Sequence, residues 1–438
     1  MLAGAAGAVA APLVAQAEAT SPAISKTERV ELTASSAMAR LRPEGPETAI
    51  LRYGGFDTVP VLHLRQNETR VIRFKNELDQ ATSLRWYGIR GLSFDDTRGH
   101  LPVVPPKAGA DLSTLFSDAG TYLFRPQPSS VDQAAHGLTG VLVVGDDQPP
   151  TFDQDLVLLL SDWQLDTANQ PTASGEGETV IAVNHAPAPA SWTARPGARV
   201  RMRLANGSTH RVMVVACDGA KPQVIAIDGQ PSDLFSPVRN SVPIGPGARF
   251  DIAFDLPRES GQAVALTLKG TERVGGQMET DGPLATVRTD GVPLELRPPL
   301  KALPANPALP REIALERSKR ADLTFGTTGG GAAWTVNGVS GIMLPPKPLL
   351  RMKRGGAVTL GLINGSDKLI PLRVSGQALR LLHAKDDGWE PYWRESVLLP
   401  PQSRNHVAFV ADVPGHFLIE SGFDAQVLAG LRCWFEVI

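Results

Sequence analysis

The side chains that could bind a metal or carry a reaction are few and scattered. Eight histidines (63, 100, 136, 185, 210, 383, 406 and 416) include no His-x-His pair, and none joins a cysteine at ligand spacing. The two cysteines, Cys217 and Cys433, lie far apart in the chain. They could pair in an oxidising compartment, but buried free thiols are the default expectation; Cys433 alternates with apolar neighbours, as suits a small core residue. There is no G-x-S-x-G elbow, no phosphate-binding P-loop and no H-E-x-x-H helix. The acid pairs Asp95-Asp96 and Asp386-Asp387 stand in turn-like stretches and read as solvated carboxylates, and Gly329-Gly330-Gly331 reads as a flexible loop. Trp389, Tyr392 and Trp393 read equally as a binding patch and as a packing cluster on a hairpin.

Four short segments carry a stronger signal. They are Asp118-Ala119-Gly120-Thr121-Tyr122-Leu123-Phe124 closed by Arg125-Pro126-Gln127; Arg85-Trp86-Tyr87-Gly88; Ile370-Pro371-Leu372-Arg373-Val374-Ser375-Gly376-Gln377; and Glu420-Ser421-Gly422-Phe423-Asp424-Ala425-Gln426 with Gly430-Leu431-Arg432-Cys433-Trp434-Phe435-Glu436-Val437. These resemble the copper-ligand segments of multicopper oxidases: Asp-Ala-Gly-Thr-Tyr-x-Tyr-His-Pro-His, His-Trp-His-Gly, His-Pro-x-His-Leu-His-Gly-His, and His-Cys-His with a further histidine ahead of Gly-Met-x-x-Trp-Phe-x-Val. The resemblance covers nearly the whole chain. It implies that the trinuclear-cluster positions hold Arg85, Tyr87, Arg125, Gln127, Arg373, Ser375, Glu420 and Gly422. It also implies that the blue-copper positions hold Ile370, Ser421, Gln426 and Leu431, with Ser421 at the cysteine and Leu431 at the axial methionine.

A blue-copper centre needs a thiolate and imidazoles, and a trinuclear cluster needs many imidazoles. Guanidinium is the least suitable replacement, because it has no acceptor lone pair and repels a cation. The resemblance therefore implies a frame without catalytic residues, with no cofactor, no metal and no copper expected. Among the eight cluster positions three cations face one anion. Such arginines require carboxylates, carbonyls or a bound anion. Two arrangements satisfy them: a salt-bridge network centred on Glu420 with Asp95 or Asp96 helping, or a pocket for phosphate, sulfate or a carboxylate ligand. The blue-copper pocket is expected to be repacked. The functional expectation is a copper-free scaffold or interaction protein with a protein partner in the cell envelope, on the pattern of a copper-free relative that serves cell division. The alternatives are an anion or small-molecule binding protein, and an oxidase of phenols or metal ions.

The elements that must position these residues are strands. Three segments, Asn67–Asn76, Gly197–Asn206 and Gly355–Asn364, each run from a turn residue to a terminal asparagine with period-2 alternation between. Ile72 and Phe74, Met202 and Leu204, and Leu360 and Leu362 take equivalent inward places, with the other face toward arginine, lysine or water. The copies imply an all-β chain of three tandem β-sandwich domains, which the resemblance makes cupredoxin-like with Greek-key connections. Expected bounds are 35–147, 150–292 and 311–438, divided at Asp146–Pro150 and by a proline-rich connector, 293–310. Asp228-Gly229-Gln230-Pro231 reads as a turn of the middle domain. With 438 residues, 42 Gly and 37 Pro, short strands joined by turns are expected.

A net charge of −2 argues against nucleic acid or an anionic membrane as the main partner, because those call for a basic balance or a basic patch. Residues 1–17, small and apolar with Ala15-Gln16-Ala17 before Glu18, read as an export signal and give an expected periplasmic location. The missing basic n-region points either to a start further upstream or to a weaker export signal, and an upstream twin-arginine sequence, if present, would imply export in the folded state, as the resemblance suggests. No stretch of the mature chain reaches the ~20 apolar residues of a membrane helix.

Overall fold

The computed structural model describes residues 29–55, 60–96, 100–129, 133–146, 150–172, 177–270, 280–382 and 388–438. The export signal, His383, the Asp386-Asp387 pair and part of the Asp146–Pro150 boundary lie outside them. Among the described residues six sheets form three pairs. In one sheet of each pair the repeated strand, Glu68–Asn76, Arg199–Asn206 or Gly356–Asn364, has one parallel and one antiparallel neighbour. The parallel neighbours are Arg29–Ala39, Gln154–Leu165 and Lys319–Thr328. The antiparallel ones are Gly109–Phe116, Arg249–Asp255 and Ser403–Ala411. The second sheets also share a strand order, each opening with a parallel edge pair. The chain is thus nearly all β, with one architecture repeated three times. Its first strand begins at Arg29, ahead of the expected start at 35.

The terminal asparagines have a common physical purpose. The Asn76 amide donates to the carbonyls of Gln80, Val104 and Pro105 and accepts from the Leu78 N–H. Asn364 does the same with Lys368, Leu399, Pro400 and Ser366. Asn206 binds Arg211, Ile244 and Ser208. Each therefore fastens the turn after its strand to the loop that leads into the antiparallel neighbour. The asparagines are at most 1% exposed. A residue without both donor and acceptor would leave buried carbonyls unmet, at about 1–3 kcal/mol each.

The inward residues Ile72, Phe74, Met202, Leu204, Leu360 and Leu362 are fully buried in three separate apolar cores. The middle copy departs from the expected half-wet alternation. Arg199–Asn206 is buried on both faces because the first domain covers Arg201 and Arg203, which pair with Asp251 and Asp155. The arginine stripe is an interface here. Cys217 and Cys433 are buried free thiols. The connector 293–310 carries no strand and is pinned to the second domain: Arg199 Nη2 donates to the Pro298 carbonyl, Arg297 pairs with Asp153 and Asn306 donates to Gln230.

Candidate functional site

Pairing of the strands assembles the arginines. Thr82–Tyr87 runs antiparallel to Gly120–Arg125 with Arg85 opposite Arg125. In the third domain Ile370–Val374 runs antiparallel to Gly415–Ser421 with Arg373 opposite Glu420. The two strand pairs face one another across the seam between first and third domains. The Tyr87 ring sits among three guanidinium groups, whose central carbons lie 3.9 Å (Arg373), 4.9 Å (Arg125) and 5.5 Å (Arg85) from its centroid. Its negative π face attracts each cation but cannot neutralise them.

Carboxylates supply that neutralisation. Glu420 Oε1 lies 2.7 Å from Arg85 Nη1 and also binds Arg373 Nη2. Arg125 Nη2 lies 2.8 Å from Asp424 Oδ1. Arg373 Nη1 approaches Glu395 Oε1 at 3.8 Å, and the other Glu395 oxygen is 2.9 Å from Arg249 Nη1. Arg249 Nη1 is in turn 3.6 Å from Asp228 Oδ1. The result is a run of three guanidinium groups and three carboxylates, Arg85–Glu420–Arg373–Glu395–Arg249–Asp228, with the Arg125–Asp424 pair beside it across the Tyr87 ring, and the eight groups are drawn from all three domains. No member is more than 6% exposed. Burial alone would raise the Glu420 carboxyl, but attraction from Arg85 and Arg373 outweighs it and holds the group below its ordinary value. Glu420 and the arginines are therefore ionised together.

This geometry corrects the expected charge count. Three cations do not confront a single anion, because Asp424, Glu395 and Asp228 join Glu420. Asp95, expected to help, instead binds His416 Nδ1 at 2.6 Å and Ser93 on the half-exposed rim of the seam. Asp96 contributes a backbone carbonyl to the His100 N–H. Asp228 does more than make a turn: at φ +49° its carboxylate accepts from the Arg249, Glu395 and Ser396 N–H groups and from Ser396 Oγ, tying the second domain to the third. Asp424 was legible four residues after Glu420, whereas Glu395 and Arg249 carry no local sequence signal. His100, 3% exposed beside these arginines, is pushed down to about 3, first by burial and then by repulsion from Arg85 and Arg373.

The remaining positions make ordinary structural bonds. Gln127 donates its N–H to Ser83 Oγ, and Ser375 Oγ exchanges two hydrogen bonds with the Leu418 backbone. Gly422 lets the third domain approach the second, since a Cβ there would lie 2.8 Å from the Pro246 carbonyl oxygen. At the second cluster Ile370 and Leu431 are fully buried in the apolar core. Ser421 Oγ donates to Gln426 Oε1 at 2.6 Å and accepts from the Phe423 N–H, while Gln426 Nε2 donates to the Leu369 carbonyl. Of the three aromatics, Tyr392 stacks on Phe235 of the second domain at 5.2 Å and Trp393 lies under Arg380, so both pack.

Two multicopper oxidase family models match residues 37–149 and 154–279, and the chain belongs to the multicopper oxidase family, with cupredoxin-like domains. Its sequence is similar to the multicopper oxidase MmcO of Mycobacterium tuberculosis, at 25% identity over 482 aligned positions, 99% of this chain and 92% of that protein. Its structure is similar to a multi-copper oxidase from Pseudomonas thermotolerans, with a TM-score of 0.78, 28% identity and coverage of 94% and 99% of the two chains. The McoA multicopper oxidase variant of Aquifex aeolicus shares the fold at a TM-score of 0.79 and 20% identity, over 94% of this chain and 97% of that one.

Proposed function

We propose that this chain is a copper-free member of the family, working as an exported scaffold or interaction protein of the cell envelope. One observation carries the reading: the groups that converge where Arg85, Tyr87, Arg125, Arg373 and Glu420 meet are guanidinium groups already matched to carboxylates. Guanidinium offers no lone pair, and a cation entering between Arg85 and Arg373 would be repelled by both. The blue-copper set fares no better, since a hydroxyl, an amide and two alkyl side chains do not provide the thiolate and imidazoles that copper requires. The residues present do not fit copper. In this role the ion-pair network holds three domains in a fixed arrangement and presents their outer surfaces to a partner. The nearest functional pattern is the cell-division protein FtsP (SufI), a periplasmic relative without copper ligands, so stabilisation of division or envelope machinery is the process we assign. Depletion in the native host under envelope stress tests it: impaired septation or envelope integrity supports the role, and normal septation opposes it.

A second reading is favoured by Arg85 Nη2 and Arg373 Nε, which are buried and reach no hydrogen-bond acceptor among the described residues. They give a small anion two donors. Thermal-shift titration with phosphate, sulfate and acetate tests this, and stabilisation in the wild type that Arg85→Met abolishes supports it. Oxidation of phenols or metal ions, the activity carried by the family name, has no support from the donor set.

A further inference from the structure

The outer edge of the third domain has a chemistry that neither the ion-pair network nor the domain seams use. After the strand Ala333–Val336 the chain runs alongside the strand Arg432–Val437 and is fixed to it at regular intervals. Arg432 donates to the carbonyls of Gly341 and Ile342, and Trp434 Nε1 donates to that of Pro345. The Leu349 N–H donates to Trp434, Glu436 donates to Leu350, and Ile438 donates to Met352. Pro345-Pro346 stiffens the middle. The run is therefore a rigid ledge, and its outward side chains are held in place.

Those side chains divide into two kinds. At one end Ile342 and Met343 are 54% and 83% exposed, with Val339 beside them at 54%. Exposed aliphatic groups on a rigid turn have an unmet burial drive worth roughly 25 cal/mol per Å². Along the rest of the ledge Lys347, Arg351, Lys353 and Arg354 are exposed. Lys319 joins them, its ammonium reaching the Arg351 carbonyl, with Arg320 next to it. The spans 317–320 and 347–354 contain seven cations and no acid. Of the nearby acids, Glu436 pairs with Arg351, Asp412 is engaged by Arg90, and Glu316 is exposed next to Arg317 at the far end of the row. The positive charge of Lys347, Lys353 and Arg320 is left facing outward.

We infer that this ledge docks on an anionic lipid bilayer, with Ile342 and Met343 entering the headgroup boundary and the lysine-arginine row lying against the acidic headgroups. An apolar tip joined to a basic row is the combination that interfacial binding requires, because neither part alone gives stable attachment. Charge complementarity selects the bilayer's sign, and the exposed aliphatic end distinguishes a bilayer from a purely acidic partner. The inference is independent of the copper question.

The test is co-sedimentation of the full protein with vesicles of phosphatidylcholine containing phosphatidylglycerol, and with phosphatidylcholine alone. Binding to the acidic vesicles that falls as salt is raised is expected, with little binding to the neutral ones. At about fivefold per lost cation, the variant Lys347→Glu/Lys353→Glu/Arg354→Glu should weaken partition by ~100-fold or more. Met343→Ser, which removes apolar surface without adding charge, should weaken it severalfold at unchanged salt dependence. Failure of the wild type to bind acidic vesicles overturns the inference, as does binding that is indifferent to Met343→Ser or that the wild type shows only to an acidic polypeptide. Circular dichroism of these surface variants should match the wild type.

Discussion

Replacing Glu420 by glutamine keeps the shape of the side chain and removes its charge. Glu420 Oε1 receives both Arg85 Nη1 at 2.7 Å and Arg373 Nη2. With four guanidinium groups matched to four carboxylates, Glu420→Gln leaves one buried cation in excess. Breaking a buried pair by removing one partner costs ~3–5 kcal/mol, because the other charge stays desolvated. At ~2–4 °C per kcal/mol, the unfolding midpoint should fall by roughly 10 °C. The assay is thermal unfolding followed by circular dichroism, in buffer free of added metal. The double variant Arg85→Met/Glu420→Leu removes a cation with the anion and restores the balance, so it should lose clearly less than Glu420→Gln alone. A loss below about 1 kcal/mol in Glu420→Gln, or a double variant worse than the single one, would refute the reasoning.

Further expectations concern the surroundings of this network. His100 has an ordinary value of 6.5 and a folded value of about 3, so below pH 6.5 the unfolded chain binds a proton that the folded chain refuses. Stability should therefore fall as pH drops from 6.5 toward 3, by about 2 kcal/mol at pH 5, and His100→Gln should remove that part of the slope in urea unfolding; identical pH profiles would count against it. The contribution of Glu420, whose folded carboxyl lies below its ordinary 4.5, is present above that pH and is lost on further acidification. Asp228→Asn turns an amide donor toward the N–H groups of Arg249, Glu395 and Ser396, and should cost about 3 kcal/mol and speed proteolysis between the second and third domains. Unchanged proteolysis would oppose the clamp assigned to it. Asn206→Ala leaves the Ile244 and Arg211 carbonyls without their donor and should cost ~2–3 kcal/mol by urea unfolding, and a loss within 0.5 kcal/mol would contradict it.

The fold was legible because its signals are local. Period-2 alternation and a terminal asparagine mark the central strand of each sandwich, and the amide of that asparagine performs the same fastening three times. The arginines of the site were legible for the same reason, each lying within a recognisable segment. Of their partners, Glu420 and Asp424 lie within the same segments, but Glu395 and Asp228 do not. Glu395 reaches Arg373 and Arg249 only through the folding of two domains, and Arg249 reads in the sequence as one more polar position of an alternating strand. Asp228 looked like a turn residue because aspartate at positive φ is common in turns; its carboxylate bonds across a domain boundary that a single segment does not reveal. The paired faces of Arg199–Asn206 were misread as solvated for a similar cause, since a stripe of arginines looks alike whether water covers it or another domain does, with aspartates of its own domain paired beneath.

Metal analysis of protein expressed with copper and purified without chelators tests the central claim most directly. Far less than one copper per chain, with no blue-copper absorption and no oxidation of phenols on adding copper, is the expected result. One or more coppers per chain that Arg85→His leaves unchanged and that bring a visible band would contradict it.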